Sequence, residues 1–288
     1  MIAKITLFLF LSLTLTTTSC LAQKSENQQN DLEPKSFELM RSQEIDIQIN
    51  CGGYKPKEEA FEDQIDAPTH LLLIDPLDRK VGYNPSAPPY GWAMWDHYHE
   101  MPNSAYEPEG GLPADPNDPH NRPPVVRELK IGKSTVGGTY ILEVVGAEKG
   151  KYYLSAGVAL SHIGMGSSKV ERLLEQMYFG FSHPNKKDIY LLTYDPYTKT
   201  QATFVKDVTF KTISKDLKVA HELKLITDKK LYRSLLTKAK KLSKSKGKKR
   251  EEFFKAFISE LDSNKDKKIL GKAYDILKED AESLHKLQ

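Results

Sequence analysis

Cysteine is nearly missing from this chain. Its 288 residues hold two, Cys20 and Cys51, too few for the disulfide framework that staples small secreted scaffolds. Net charge is close to nil at +3, which removes any whole-chain case for nucleic acid or an acidic substrate. After the first twenty-odd residues no apolar run is long enough to span a bilayer. The patterns G-x-x-x-x-G-K, G-x-G-x-x-G, H-E-x-x-H and G-x-S-x-G do not occur, so the common nucleotide, zinc-protease and serine-hydrolase readings lose their footing. Ser161-His162 and His183 have neither a nucleophile elbow nor an evident acid partner. What remains is length enough for one medium domain plus a small one, with a sizeable core.

The N-terminus carries the clearest signal that is present. Lys4 supplies a positive region, Ile5 to Leu15 an apolar one, and Thr16 to Ser19 a small-residue stretch ending at Cys20. That order marks an export signal, residues 1–22, which is set aside from fold reasoning. The Ser19-Cys20 junction resembles the lipobox of bacterial lipoproteins, which implies a lipidated Cys20 and a membrane anchor. Thr17 departs from the leucine usual there, and cleavage after Ala22 would instead release a secreted or periplasmic protein. Either way Cys51 has no intrachain partner.

Residues 23–43 are polar and read as a flexible tether. Glu44 to Asn50 alternates strictly, with Ile45, Ile47 and Ile49 on one face, as a half-buried strand does. Thr69 to Ile74 is a buried strand, stopped by Asp75-Pro76 because proline removes a ladder donor. A long loop, 85–124, is rich in Pro, Gly, Asn and Asp and carries Tyr90, Trp92, Trp95, Tyr98 and Tyr106. Strand signals follow at Arg127 to Ile131, Tyr140 to Val145, Tyr152 to Ala156, Asp188 to Tyr194 and Ala202 to Ile213, with Lys218 to Leu225 as a further candidate. Between them Ser167 to Tyr178 has Val170, Leu173, Leu174 and Met177 at helical spacing, which predicts a helix. From Thr227 onward glycine thins out and three helices are expected over Lys229 to Leu242, Glu251 to Leu261 and Lys267 to Leu287. The basic linker Ser243 to Arg250 between the first two must face solvent; contact with anionic lipid or polysaccharide is its functional reading.

Two stretches resemble known modules. Leu72 to Tyr83 (LLIDPLDRKVGY), Glu100 to Tyr106 (EMPNSAY) and Gly138 to Leu154 are similar to an Ig-like β-sandwich of bacterial extracellular proteins, with Asp78 standing where that pattern has glycine. Leu225 to Leu284 is similar to the small helical FIMAH domain appended to secreted bacterial proteins. The resemblances imply a mainly β protein with an α-helical C-terminus: an Ig-like β-sandwich at 44–224 and a small three-helix domain at 225–288. Neither family supplies catalytic residues.

Four groups are candidates for function. Tyr90, Trp92, Trp95 and Tyr98 would make an aromatic platform for a sugar ring or a partner's side chain, or a minicore stapling the loop down. His97, His99 and Glu100, with His120 in reach, have the residue types of a zinc site. Asp115, Asn117 and Asp118 offer oxygen ligands for calcium, though without a sharp-turn Gly or a distal bidentate Glu, and Asx-turn chemistry accounts for them more simply. The Asp75, Asp78, Arg79 and Lys80 group is expected to be a charged turn fixed by an Arg–Asp pair. The expectation is a non-enzymatic binding or structural module of the cell envelope, with no required cofactor, whose partner is an envelope protein or polysaccharide. The alternatives are a metal-binding protein or metal-dependent hydrolase built on His97, His99 and Glu100, and a regulatory subunit of a secreted enzyme.

Overall fold

The computed structural model describes residues 43–54, 64–65, 67–86, 97–109, 126–134, 136–164, 167–195 and 202–286. All belong to one compact unit, Arg41–Gln288. The stretches read as export signal, with Cys20, and as tether up to residue 42, together with Tyr90, Trp92, Trp95, Asp115, Asn117, Asp118 and His120, lie outside the described residues, and Gln43 begins the first strand.

Two antiparallel sheets face each other. One runs β10 (Ser167–Ser182), β9 (Gly150–Gly164), β1 (Gln43–Tyr54), β7 (Val126–Ser134), β6 (Ser104–Glu109), with the two-residue β2 (Gln64–Ile65) beside the end of β1. The other runs β12 (Thr203–Asp207), β11 (Lys187–Tyr194), β8 (Gly138–Gly146), β3 (Thr69–Ile74), β4 (Lys80–Tyr83), β5 (His97–His99). Alternation decides which side chains meet: Ile47, Ile49 and Cys51 of β1 are buried with Leu154, Ala156 and Val158 of β9, against Leu71, Leu73, Leu142, Val144 and Leu192 of the second sheet. Buried tyrosines in this core are bonded, as burial requires: Tyr178 donates to the Phe204 carbonyl, and the Tyr140 and Tyr194 hydroxyls lie 3.0 Å apart. The mainly β fold with a helical C-terminus is thus as the sequence implied.

The turn after β3 is built on one carboxylate. Asp75 Oδ1 accepts from the backbone N–H groups of Leu77 and Arg79, and Oδ2 pairs with the Arg79 guanidinium at 2.7 Å. Asp78 adopts φ 60°, the left-handed conformation that glycine takes most readily and that Asp tolerates better than most residues.

Ser167 to Tyr178 is not a helix. It is most of β10, paired with β9 from Ser167↔Gly164 to Ser182↔Gly150, with a register shift between Arg172 and Leu174. A bulge moves the strand's phase by one residue. Leu173 and Leu174 therefore both reach the core, and two period-two runs joined at that point imitate helical spacing.

Lys218 to Leu225 is not a strand either, and the strand signal of Ala202 to Ile213 covers two elements. β12 ends at Asp207, Thr209 caps, and α1 runs Phe210–Glu222. Ile213, Asp216, Leu217 and Ala220 form its buried stripe, three and four residues apart. The remaining helices are α2 (Lys229–Lys244), α3 (Gly247–Asn264) and α4 (Lys272–Lys286). Asp228 caps α2 by accepting from Lys230 and Leu231 N–H. All four helices share a second core, with Leu217, Leu235, Leu242, Phe257, Leu261 and Leu277 at its centre. The three helices expected after Leu225 are α2, α3 and α4, with α1 joining their core from before that boundary, and the two cores meet where α1 and α4 pack on β10 and α4 packs on β12.

That junction is ionic. Lys186 Nζ lies 2.5 Å from Asp188 Oδ2 and 2.7 Å from Asp216 Oδ1; Lys206 Nζ lies 2.6 Å from Asp280 Oδ1 and 3.9 Å from Asp216 Oδ2. Tyr152 donates to Asp188 at 2.6 Å, and its hydroxyl meets that of Tyr190. None of the five charged side chains exceeds 3 % exposure. Burial alone favours neutral amines, yet Asp188 and Asp216 hold Lys186 above its ordinary value, and Asp280 and Asp188 hold Lys206 well above its own. Three carboxylates face two ammonium groups, and the surplus falls on Asp216, whose carboxyl burial pushes well up despite the neighbouring lysines. Asp188 goes the other way: the two lysines outweigh its burial and hold it down.

Candidate functional site

The first candidate region is where the loop-bearing strands close one edge of the sandwich. His97 packs edge-on against Tyr106 with ring centroids 4.9 Å apart, and His70 stacks flat on Tyr83 at 4.4 Å. Tyr106 reaches across the sheets, accepting from the Leu71 N–H at 3.3 Å. Beneath them Cys51 Sγ touches Thr69 Oγ1 at 3.0 Å.

Each shifted group here is pushed toward its uncharged form. Burial raises the Cys51 thiol to about 12 and the Tyr106 hydroxyl to about 12. Burial, the Arg127 guanidinium and His97 lower His70 to about 4. A general base or nucleophile works best with its proton balanced near the working pH. These side chains instead form an uncharged packing edge.

The residues proposed as a metal site are placed apart in role. His97 packs inward on Tyr106, His99 is exposed, and their rings stand 6.4 Å apart at 85°. Glu100 turns back to β4, accepting from the Lys80 N–H at 2.9 Å. Among the described residues no group of three His, Cys, Asp or Glu side chains is placed to hold a metal ion. Tyr98, from the aromatic set, lies under the Lys80 ammonium, 5.1 Å from its ring centre.

The second region had no motif. Ser155, Gly157 and Ala159 alternate along β9 on the outer face of the first sheet and make the floor of an open trough of about 300 Å³. Gln48 and Asn50 of β1 form one wall, and Arg172 and Glu175 of β10 the other. The register sets this arrangement: Asn50 pairs with Ser155, and Gln48 and Glu175 flank Gly157 from either side. At about 3.3 Å per residue the floor runs roughly 13 Å. Arg172 and Glu175 pair with each other at 2.5 Å but remain 73 % and 69 % exposed, so the bond is weak and both groups can exchange it for a ligand. The floor is open at its centre: a Cβ on Gly157 would come no nearer than 3.9 Å to any atom. The sequence signal for this trough is faint. It consists of small residues at alternate positions in S-A-G-V-A, visible as a floor only once both neighbouring strands are known.

Comparison with known proteins returns no match: no protein-family model, no curated protein and no solved structure matches the chain.

Proposed function

We propose that the protein is a non-enzymatic, exported binding module of the bacterial cell envelope, holding a polysaccharide chain along the outer face of its β-sandwich. The observation that carries this is the trough over Ser155, Gly157 and Ala159. It has amide walls on one side, an exchangeable ion pair on the other and a floor low enough for a polar polymer to approach the backbone. Such a surface offers donors and acceptors in equal measure and little net charge, which suits an uncharged hydroxyl-rich ligand. The titratable groups at the loop-bearing edge support the non-catalytic half of the reading, since burial drives them from the range in which proton transfer is efficient. The export-signal pattern ending at Cys20 supports an envelope setting, and Tyr90, Trp92, Trp95 and Tyr98 would supply a second contact in the same reading.

The test is Gly157→Val, a β-compatible side chain whose Cβ has ordinary contact distances to the neighbouring strands, beside Arg172→Ala with Glu175→Ala on the wall. Binding of the leader-free protein to purified envelope polysaccharide, measured by affinity electrophoresis, is expected to fall at least tenfold in both variants while the urea midpoint holds. Unchanged retention of both variants overturns the trough as the site. Retention by envelope protein but not by polysaccharide overturns the ligand class.

A further inference from the structure

From Lys229 to Arg250 the chain holds nine lysines, two arginines and no Asp or Glu. The fold does not disperse them. α2 ends at Lys244, Ser245 and Lys246 make a two-residue break, and α3 begins at Gly247, so the end of one helix and the start of the next form a single corner. Lys240, Lys241, Lys244, Lys246, Lys248 and Lys249 are all exposed there. The corner projects: Gly247 has φ 52° and open space where a Cβ would be.

The charges are largely uncompensated. Lys238 is engaged by Glu260, Lys241 lies over the Phe253 ring, and Arg250 donates to the Leu284 carbonyl. Lys240, Lys244, Lys246, Lys248 and Lys249 make no ion pair among the described residues. The nearest acidic residues in sequence are Glu251 and Glu252, and Glu251 is occupied by Lys255 and His285. The start of α3 compounds the cost. Lys246 gives no side-chain cap and no acidic residue stands in the first turn, so lysines crowd the positive end of a helix dipole, where like charge is unfavourable. A sequence selected for stability alone would place Asp or Glu here.

We propose that this lysine corner docks the protein onto an anionic phospholipid surface. The chemistry favours lipid headgroups over a structured polyanion. The free cations at the corner are lysines on flexible stems, which suit a fluid field of phosphates, whereas Arg250, the arginine that stands there, has its fork on the Leu284 carbonyl. The surface is a convex corner with no cleft to follow a polymer. The inference rests on the export reading, which puts the chain beside a membrane, and it is independent of the trough.

The experiment uses the leader-free chain, residues 23–288, which contains every buried residue described above. Sedimentation with vesicles of phosphatidylglycerol and phosphatidylcholine is compared with phosphatidylcholine alone. The wild-type protein is expected to partition onto the anionic vesicles only, and less as salt rises. Each lysine at an anionic surface contributes about fivefold to the partition coefficient, so the triple variant Lys244→Ala, Lys246→Ala, Lys248→Ala is expected to lose roughly a hundredfold. Lys211→Ala, on an exposed position of α1, is expected to change it far less. The proposal is overturned if the triple variant partitions like wild type, if both vesicle types bind equally, or if heparin is bound and the vesicles are not. Lipid on Cys20, read from the mass of the exported chain, is a separate outcome and tests the anchor alone.

Discussion

Replacing Lys206 by methionine removes one of two cations from a layer that holds three carboxylates. Asp280 then loses a partner at 2.6 Å while remaining 2 % exposed. Breaking a buried pair from one side costs about 3–5 kcal/mol, because the surviving charge stays desolvated. Lys206→Met and Asp280→Leu are each expected to lose about that much in urea denaturation of the leader-free chain. The double variant leaves Lys186, Asp188 and Asp216 as the remaining charged set and is expected to recover at least about 2 kcal/mol of the summed loss. Asp216→Asn gives the internal control. Burial pushes its carboxyl well above the ordinary 3.8, so the uncharged form is the one favoured there, and the neutral amide is expected to cost clearly less than the loss of Lys206. The sign follows from proton binding. Between 3.8 and the raised folded value the native state holds one proton more than the unfolded chain, so this group's contribution to stability falls as pH rises. Asp216→Asn should flatten that fall. Additive losses in the Lys206–Asp280 cycle, or an Asp216→Asn loss as large as that of Lys206→Met, would refute the reasoning.

Two other outcomes are expected. Cys51, with its thiol raised to about 12 by burial, should resist iodoacetamide in the folded protein at neutral pH and react at the rate of global unfolding; rapid labelling in native buffer would contradict this. His70, lowered from 6.5 to about 4 chiefly by burial, is neutral when folded, so its contribution to stability is present above 6.5 and lost as pH falls through the folded value near 4. A His70→Phe variant should lose that acid-side slope, as read from urea midpoints over this range.

The strictly alternating segments were legible in the sequence because their faces differ. Ile45, Ile47 and Ile49 announce β1, and the leucine and phenylalanine stripes announce α2 and α3. β10 was misread because a bulge at Arg172–Leu174 puts two leucines side by side, and periodicity cannot separate that from one helical turn. α1 was hidden because Val219 and Leu225, read together with Leu223, alternate as well as they spiral; tertiary packing on β10 decided between the two. The ionic layer was legible in principle. Phe204 and Lys206 of β12 and Val208 just beyond it fall on one phase, so a lysine sits between two core residues. Long charged side chains are so seldom fully buried that alternation alone does not mark such a position as core.

The ionic layer also bears on the order in which the molecule is finished. Asp280 lies 74 residues beyond Lys206, and Asp216 stands on a helix that follows the last strand. A chain emerging N-terminus first therefore completes both sheets while Lys186 and Lys206 are still in water. Their dehydration awaits α1 and α4, so sealing the sandwich is the closing step of maturation, and a chain clipped ahead of α4 is left with an unanswered ammonium on its flank.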